Sequence, residues 1–152
     1  MRLRIYTDTS VIGGCEDEEF REHSRQLIEA FVRGSFTMVI SDLTLRELDR
    51  APANVRAVVA RAPDGFTEIL SATGEVEELA EAYIAEGVLA DSSRADAFHI
   101  AIATLAKVDV LASWNFKHIV NLKRIHGFNS VNLRRGLQMI EIRSPREVLP
   151  SE

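Results

Sequence analysis

A chain of 152 residues is long enough for one domain with a full hydrophobic core, and 46% hydrophobic and 27% charged residues are typical of a globular protein. The single cysteine, Cys15, excludes an internal disulfide and a cysteine-rich zinc site, and it fits a reducing cytoplasm. The chain has no run of about 18 apolar residues and no hydrophobic signal region at its start, so we predict no membrane segment.

The first half of the chain predicts three strands separated by helices. In chain order these are a strand at 2–8, a loop TSVIGG, an amphipathic helix at 17–33 ended by Gly34, a strand at 36–41, a helix capped by Ser41 or Asp42 that runs through Glu47, a helical piece VRAVVARA between Pro52 and Pro63, and a strand at 66–70.

The second half continues the alternation. Its predicted elements are a helix at 75–86 capped by Thr73, a helix capped by Ser92 or Ser93 that runs to about Lys107, a strand at 109–113, a short helix from Lys117 to Gly127, a last strand at 138–142 and a polar tail. Alternating strands and helices imply right-handed crossovers and a mostly parallel sheet. No repeat or linker interrupts the pattern, so we predict one domain over residues 1–152.

Polar residues stand at the ends of hydrophobic segments far apart in the chain. Asp8 follows the first strand, Glu47 lies in SDLTLRELDR, Asp96 opens RADAFHIAIATLA, and Asn115 follows VDVLASW. The helix that contains Asp96 is apolar nearly all round and therefore buried, which places its first turn near the cleft beyond the strand ends. Clustered carboxylates repel one another unless a cation lies among them. The simplest purpose of such a cluster is to bind Mg²⁺ or Mn²⁺ in an enzyme that acts on phosphates.

Each of these residues also has a purely structural explanation. Asp8 could form a turn, Glu47 could pair with a neighbouring arginine, Asp96 could complete a capping box that starts at Ser93, and Asn115 could cap the segment that follows it. Only the ordered set favours a metal site.

Two histidines and one serine invite catalytic assignments that their surroundings do not support. His99 and His118 lack the spacing of a zinc motif, so we predict hydrogen-bonded core or edge histidines. Ser10 lacks the Gly-x-Ser-x-Gly elbow of a nucleophile, which favours a role in orienting Asp8 or a water.

The net charge of −5 argues against nucleic-acid binding when taken alone, but the charges are unevenly distributed. Residues 110 to 140 contain no Asp or Glu and include Lys117, Lys123 and Arg124. A basic patch beside an acidic metal site would let a nuclease hold a polyanion and cut it. Each of these bases could equally belong to a solvated helix surface.

Three segments together resemble the PIN-domain family, particularly the VapC-type toxin ribonucleases of bacterial toxin–antitoxin pairs. The matching segments are IYTDTSVIGG, SDLTLREL and RADAFHIAIATLAKVDVLASWNFKHIVN, in the family's order and over most of the chain. The resemblance implies a three-layer α/β/α sandwich with a mostly parallel sheet. It also implies hydrolysis of RNA phosphodiester bonds at an acidic Mg²⁺ or Mn²⁺ site.

The resemblance assigns roles to individual residues. Asp8, Glu47 and Asp96 match the family's three acids and would be the catalytic and metal-binding residues. Asn115 stands where many members carry a fourth acid, so it would assist the metal without adding charge. In metal-assisted hydrolysis of RNA, Glu47 would bind the metal through water or orient the attacking water.

Further residues and partners follow from the same resemblance. Ser10 and Ser113 match positions that often carry a small hydroxyl residue near the site. Lys117, Lys123 and Arg124 would hold flanking phosphates without reading the RNA sequence. Because an unrestrained ribonuclease is toxic in its own cytoplasm, an antitoxin is expected, and family members tend to form homodimers.

Three other functions remain open. A PIN-like module that has lost catalytic strength and serves in binding or regulation is permitted by Asn115, and weak Mn²⁺ affinity would distinguish it. A phosphohydrolase of the haloacid-dehalogenase type would need a D-x-D motif, but position 10 is serine. A nucleotide-binding module is disfavoured because Gly13 and Gly14 do not form a phosphate-binding loop.

Overall fold

The computed structural model describes residues 2–62, 65 and 67–150, and within them five strands form one parallel sheet. The strands are β1 (Arg4–Thr7), β2 (Thr37–Ser41), β3 (Thr67–Leu70), β4 (Val110–Ala112) and β5 (Ile142–Arg143). The helices are α1 (Thr9–Gly14), α2 (Arg21–Val32), α3 (Asp42–Leu48), α4 (Ala53–Ala60), α5 (Gly74–Ala85), α6 (Arg94–Leu105), α7 (Leu122–Arg134) and α8 (Pro145–Val148). A 3-10 turn at Asp91–Ser93 precedes α6.

Strand β1 lies at the centre of the sheet, whose strand order is β3-β2-β1-β4-β5. Tyr6 of β1 pairs with Val39 of β2 on one side and with Leu111 of β4 on the other. All three side chains are fully buried, as expected where helices cover both faces of a parallel sheet. The predicted mostly parallel sheet is confirmed.

Hydrophobic side chains pack on both faces of this sheet. One core, which includes Tyr6 and Ile100, lies between the sheet and helices α5, α6 and α7. The other, which includes Ile5 and Phe31, lies between the sheet and helices α1, α2 and α4. Ile5 and Tyr6 enter different cores because successive side chains of a strand point to opposite faces. The predicted three-layer α/β/α sandwich is therefore confirmed.

The carboxyl ends of three neighbouring strands carry polar residues. Asp8 follows β1, Ser41 ends β2 and Ser113 follows β4. Asp8 and Ser41 are also the N-cap residues of α1 and α3, because their side chains accept hydrogen bonds from the backbone N–H groups of Val11 and Thr44. These immediate strand-to-helix connections bring α1 and α3 to the same edge of the sheet.

The segment TSVIGG, predicted as a loop, is the helix α1. Val11 and Ile12 are fully buried, and Gly14 lies so close to α2 that an added Cβ would be 2.5 Å from Ser24 Oγ. Two glycines lower the intrinsic helix propensity, but burial of an apolar face supplies most helix stability in proteins. The loop prediction was wrong because this packing is not visible in the local sequence.

The C-terminal third also departs from the prediction. Instead of a helix at 117–127, the chain makes a turn at 116–119, and α7 begins after the capping residue Asn121. The helix passes through Gly127 because the Val88 side chain packs against it, where an added Cβ would lie 2.7 Å from Val88 Cγ1. A glycine predicted as a helix stop is instead a site of close packing.

The last predicted strand and the tail also need correction. Only Ile142 of the predicted strand at 138–142 lies in a strand, because β5 covers Ile142–Arg143. The tail contains α8, which opens with a capping box formed by Ser144 and Glu147. The predicted strand at 66–70 is confirmed from Thr67 onward, whereas Phe66 and Pro63 lie outside the described residues.

Several predicted helix boundaries are confirmed. Gly34 follows α2 with a positive φ of 78°, which favours glycine, and Thr73 caps α5 through its side chain. The helix expected after Ser92 or Ser93 begins at Arg94, but the Ser93 side chain makes no capping hydrogen bond. None of the helices in the described part of the chain is long and apolar enough to cross a membrane.

Candidate active site

Asp8 lies at the centre of the polar cluster beyond the strand ends. Its side chain is only 4% exposed. Ser10 Oγ donates a hydrogen bond of 2.6 Å to Asp8 Oδ1, and Ser113 Oγ donates one of 2.6 Å to Asp8 Oδ2. Burial raises the pKa of Asp8 above its ordinary value, although the nearby His99 and the two serine hydroxyls act in the opposite direction. The carboxylate is thus held in place against a large desolvation cost.

The two serines are themselves oriented by backbone groups. The N–H of Trp114 donates to Ser10 Oγ at 2.9 Å, and the N–H of Asn115 donates to Ser113 Oγ at 3.0 Å. Since a backbone N–H can only donate, each hydroxyl accepts from it and turns its own proton toward Asp8. Ser10 and Ser113 therefore both hold the Asp8 carboxylate directly.

Glu47 is positioned by two hydrogen-bond donors from other elements. Thr9 Oγ1 donates to Glu47 Oε1 at 2.6 Å, and His99 Nε2 lies 2.7 Å from the same oxygen. Burial raises the pKa of Glu47, but the hydrogen bonds from His99 and Thr9 outweigh it and leave the pKa below its ordinary value. Glu47 is therefore ionised and fixed in direction, and its hydrogen-bond partners are Thr9 and His99, while the adjacent Arg46 acts on it only through its charge.

His99 connects Glu47 to the buried core. The ring is only 2% exposed, and its Nδ1 lies 2.6 Å from the Tyr6 hydroxyl, which contacts Ser41 Oγ at 2.7 Å. Because an ionised carboxylate can only accept, the ring nitrogen Nε2 donates to Glu47. Burial raises the pKa of Tyr6, so its hydroxyl stays protonated and can donate to Nδ1.

The predicted core histidine is confirmed at this position, but its contact with Glu47 was not predicted. The only sequence signal was its position three residues after Asp96, on the same helix face. Glu47 and His99 are 52 residues apart, so nothing local to either residue indicates the pair.

Asp96 and Asn115 form the third part of the cluster. Asn115 Nδ2 donates to Asp96 Oδ2 at 3.4 Å. Burial raises the pKa of Asp96, and the negative charges of Asp8 and Glu47 raise it further, while His99 and His118 oppose the shift. Asp96 on α6 therefore interacts electrostatically with both Asp8, which follows β1, and Glu47 on α3.

The structural alternatives for this pair have different outcomes. The capping box of Ser93 and Asp96 is not formed, which leaves the Asp96 carboxylate turned toward the cluster. Asn115 does cap the next turn, because its Oδ1 accepts from the His118 N–H at 2.9 Å. The side-chain oxygen expected to assist a metal is thus already bonded to the backbone, and the amide donates to Asp96.

His118 differs from its prediction. Its Nδ1 is buried, yet it has no hydrogen-bond partner in the part of the chain that the structure describes. The prediction of a hydrogen-bonded histidine is therefore wrong for Nδ1 of His118. The ring lies near enough to Asp96 to influence the pKa of that carboxyl.

The three predicted RNA-binding residues occupy different settings. Lys117 is exposed in the turn that follows Asn115, and Lys123 is exposed on the first turn of α7. Arg124 is partly buried, and its guanidinium donates to the carbonyl of Val88. The structure thus gives Arg124 a contact within the fold, while the two lysines face solvent.

Comparison with known proteins identifies the fold. No protein-family model and no curated protein matches the chain. The VapC20 toxin of Mycobacterium tuberculosis, a toxin that cleaves the sarcin-ricin loop, matches at a TM-score of 0.56 and 18% identity, over 75% of this chain and 92% of that one. A toxin–antitoxin complex from Klebsiella pneumoniae matches at 0.57 and 20% identity, over 79% and 93%.

A third structure is VapBC2 from Rickettsia felis bound to a DNA fragment from its promoter, which matches at 0.59 and 10% identity, over 93% of this chain and 98% of that one. The chain has the PIN-domain fold of the VapC-type toxins. The resemblance inferred from the sequence is confirmed at the level of the fold.

The cluster of Asp8, Glu47 and Asp96 can be tested for its fit to a divalent cation. Among the described residues, no three His, Cys, Asp or Glu side chains are placed as a ready-made metal site. The donor atoms available are nonetheless carboxylate oxygens, which Mg²⁺ and Mn²⁺ prefer. Burial, and after it the charges of Asp8 and Glu47, raise the pKa of Asp96, and a bound cation would offset the part that comes from these charges. The donor set fits such a cation in its chemistry.

Proposed function

We propose that this protein is a metal-dependent endoribonuclease that hydrolyses RNA phosphodiester bonds and acts as the toxin of a toxin–antitoxin pair. The observation that carries the proposal is the convergence of Asp8, Glu47 and Asp96 at the carboxyl edge of a PIN fold, where the charges of Asp8 and Glu47 add to the burial that raises the pKa of Asp96. Three acids held close together where water is partly excluded lower the stability of the fold, so the cluster needs a purpose other than stability. The toxin fold of the matching structures supports the same activity.

Each residue of the cluster has a distinct role in this proposal. Asp8 and Asp96 would hold Mg²⁺ or Mn²⁺, with Asn115 and Glu47 beside it. When bound, the cation would neutralise charge on the phosphate and lower the pKa of the attacking water. Ser10 and Ser113 keep the Asp8 oxygens in one orientation. Glu47, kept ionised by His99 and Thr9, orients the water for attack.

The lysines and the partners complete the proposal. Lys117 and Lys123 face solvent and would hold phosphates that flank the cleaved bond. Arg124 would add its charge from a partly buried position. Two of the matching structures are toxin–antitoxin complexes, which supports an antitoxin partner for this chain. A homodimer and a cytoplasmic location, where the RNA substrate is found, belong to the same proposal.

RNA cleavage by the purified protein is the direct test. A pool of single-stranded and structured RNAs is incubated with Mn²⁺, with Mg²⁺ and with EDTA, alongside Asp8→Asn. We expect metal-dependent cleavage that disappears in the variant, whose fold is checked by circular dichroism. Equal cleavage by wild type and variant would disprove the assignment of the site.

A PIN-like binding or regulatory module with weakened catalysis is the second candidate. The hydrogen bond from the His118 N–H to Asn115 Oδ1 favours it, because that oxygen is less available to a metal. Calorimetric titration with Mn²⁺ separates the two candidates: a nuclease requires Asp8-dependent binding, whereas absent binding together with absent cleavage would favour the module.

A further inference from the structure

Three aromatic rings pack against one another beside the acidic cluster. The rings of Phe20 and Trp114 are stacked, with centroids 4.4 Å apart and an interplanar angle of 15°. Phe116 leans on both, with its centroid 6.2 Å from Trp114 and 6.5 Å from Phe20. Trp114 is 9% exposed, whereas Phe116 is 49% exposed. The group, called here the aromatic platform, therefore has one open ring at its outer edge.

The platform is continuous with the candidate active site. Trp114 and Phe116 flank Asn115, whose amide donates to Asp96. Ser113, the residue before Trp114, donates to Asp8. The open ring is thus one residue away in the chain from the side chains that surround the proposed scissile phosphate.

The platform is held in position by hydrogen bonds. The Trp114 backbone N–H donates to Ser10 Oγ at 2.9 Å, and its indole N–H donates to Ser24 Oγ at 2.8 Å. Asn121 Nδ2 donates to the carbonyl of Phe116 at 2.8 Å. The Phe116 ring packs on this fixed support, so stacking a ligand on it would cost less conformational freedom than on an isolated side chain.

The charge beside the open ring is positive. Lys117 follows Phe116 directly, is exposed, and makes no ion pair within the described part of the chain. An exposed ring next to an exposed cation matches a nucleotide, which offers a flat base to the ring and a phosphate to the lysine.

We propose that Phe116, supported by Trp114 and Phe20, is a stacking subsite for an unpaired nucleobase that adjoins the cleaved phosphate. The inference rests on the proposed function for the identity of the ligand, which is RNA. Because every base has a flat face, the subsite selects single-stranded or extruded nucleotides over paired ones, with weak preference among bases.

RNA binding without cleavage tests the subsite. The probe is a short single-stranded RNA that contains one 2-aminopurine, whose fluorescence is quenched by stacking. All proteins carry Asp8→Asn so that the RNA stays intact. Phe116→Ala and Phe116→Leu are expected to bind about tenfold more weakly and to lose the quenching, whereas Phe116→Trp and Phe116→Tyr retain both.

Two controls separate stacking from other effects. Leu133→Ala removes another exposed apolar side chain, 58% exposed on α7, and is expected to leave RNA binding unchanged. An oligonucleotide with an abasic position in place of the 2-aminopurine is expected to bind wild-type and Phe116→Leu forms equally. Thermal melting of each variant shows that the fold is retained.

The outcomes distinguish this inference from the proposed function. Normal RNA binding by Phe116→Leu, with Asp8-dependent cleavage still present in the parent protein, would overturn the subsite and leave the nuclease standing. Absence of RNA binding by every form, together with absence of cleavage by the wild-type protein, would overturn both. Unchanged RNA binding with loss of antitoxin binding in Phe116→Ala would assign the ring to a protein partner instead.

Discussion

Two buried polar networks in this protein differ in charge and in purpose. The acid network, formed by Asp8, Glu47 and the residues that hold them, lies at the carboxyl edge of the sheet. The amide network, formed by Tyr83, Asn132 and their partners, lies between α5, α6 and α7. The first contains carboxylates that burial disfavours, and the second contains neutral groups only.

The amide network satisfies its members with one another. The Tyr83 hydroxyl donates to Asn132 Oδ1 at 2.6 Å, and Asn132 Nδ2 approaches Thr104 and Asn129. Asn129 in turn bonds both backbone groups of Ile140. Burial raises the pKa of Tyr83 to about 12, so the network stays neutral at physiological pH. It joins three helices to the segment before β5.

The contrast shows how to separate structural from functional polar groups in one fold. Neutral groups that satisfy each other hold elements together, whereas charged groups kept against burial and mutual repulsion need another explanation. The acid network should therefore support activity at the expense of stability, and the amide network should support stability alone. Each of the following changes tests part of that contrast.

The largest expected effect is that of Asp8→Asn, which should lower the cleavage activity and raise the stability of the fold. Cleavage should fall by at least about 100-fold, because the metal loses a charged ligand. In EDTA the free energy of unfolding should rise by on the order of 1 kcal/mol, because a buried charge is removed. The asparagine oxygen can keep one serine hydrogen bond, and the new amide N–H can donate to the other serine oxygen. Urea titration beside the cleavage assay measures both, and a matched fall in stability would contradict the contrast.

The next effect belongs to the amide network. Asn132→Ala should lower the free energy of unfolding by about 2–3 kcal/mol, because it leaves the buried Tyr83 hydroxyl without its acceptor. The specific activity of the folded fraction should stay that of wild type. Tyr83→Phe, which removes the other end of the same bond, serves as the matched variant. Loss of activity in a fully folded Asn132→Ala protein would break the separation.

A smaller effect is expected from changes of His99, which lies between the acid network and the buried core. His99 contacts Glu47 and is only 2% exposed, so we expect it to act as a positioning residue. His99→Ala should reduce cleavage by about tenfold, mainly in kcat, as such supporting residues commonly do. His99→Gln, whose amide can still donate to Glu47, should recover part of the loss. No difference between the two variants would show that the hydrogen bond does not matter.

The smallest effect is a pH dependence of the Asp8→Asn stability gain. The folded-state pKa of Asp8 is raised by burial, so its contribution is favourable below the unfolded pKa and is lost as pH rises through the folded pKa. The gain of the variant over wild type in EDTA should therefore vanish toward about pH 4 and grow toward neutrality. Urea titrations across this range measure it, and a constant gain would show that ionisation of Asp8 is not its cause.

Much of the fold was predictable because its signals are local. An alternating, β-rich segment marked β1, a short apolar segment marked β2, Ser41 and Thr73 marked helix starts, and Gly34 marked a helix end. Such signals depend on the backbone preferences of a few neighbouring residues. The errors at α1 and α7 have a non-local cause, because Gly14 and Gly127 lie against side chains that are distant in the sequence.

The positions of the acids were predictable, but their surroundings were not. Asp8 and Asp96 could be placed at one edge because strand ends and helix starts are readable in the sequence. The partners of Glu47 come from α1 and α6, and the ring partner of Trp114 comes from the segment before α2. No property of the local sequence indicates these pairs.

The sequence by itself determined the order of strands and helices, the parallel sheet, and the edge at which the acids collect, since each depends on periodicity, caps and chain direction. Only the tertiary structure decided that Asn115 turns its oxygen to the backbone and that His99 holds Glu47. It also decided that Phe116 stays open beside the site. The physical reason is that side-chain direction depends on packing between elements, and residues far apart in the chain become neighbours only when the two cores have formed.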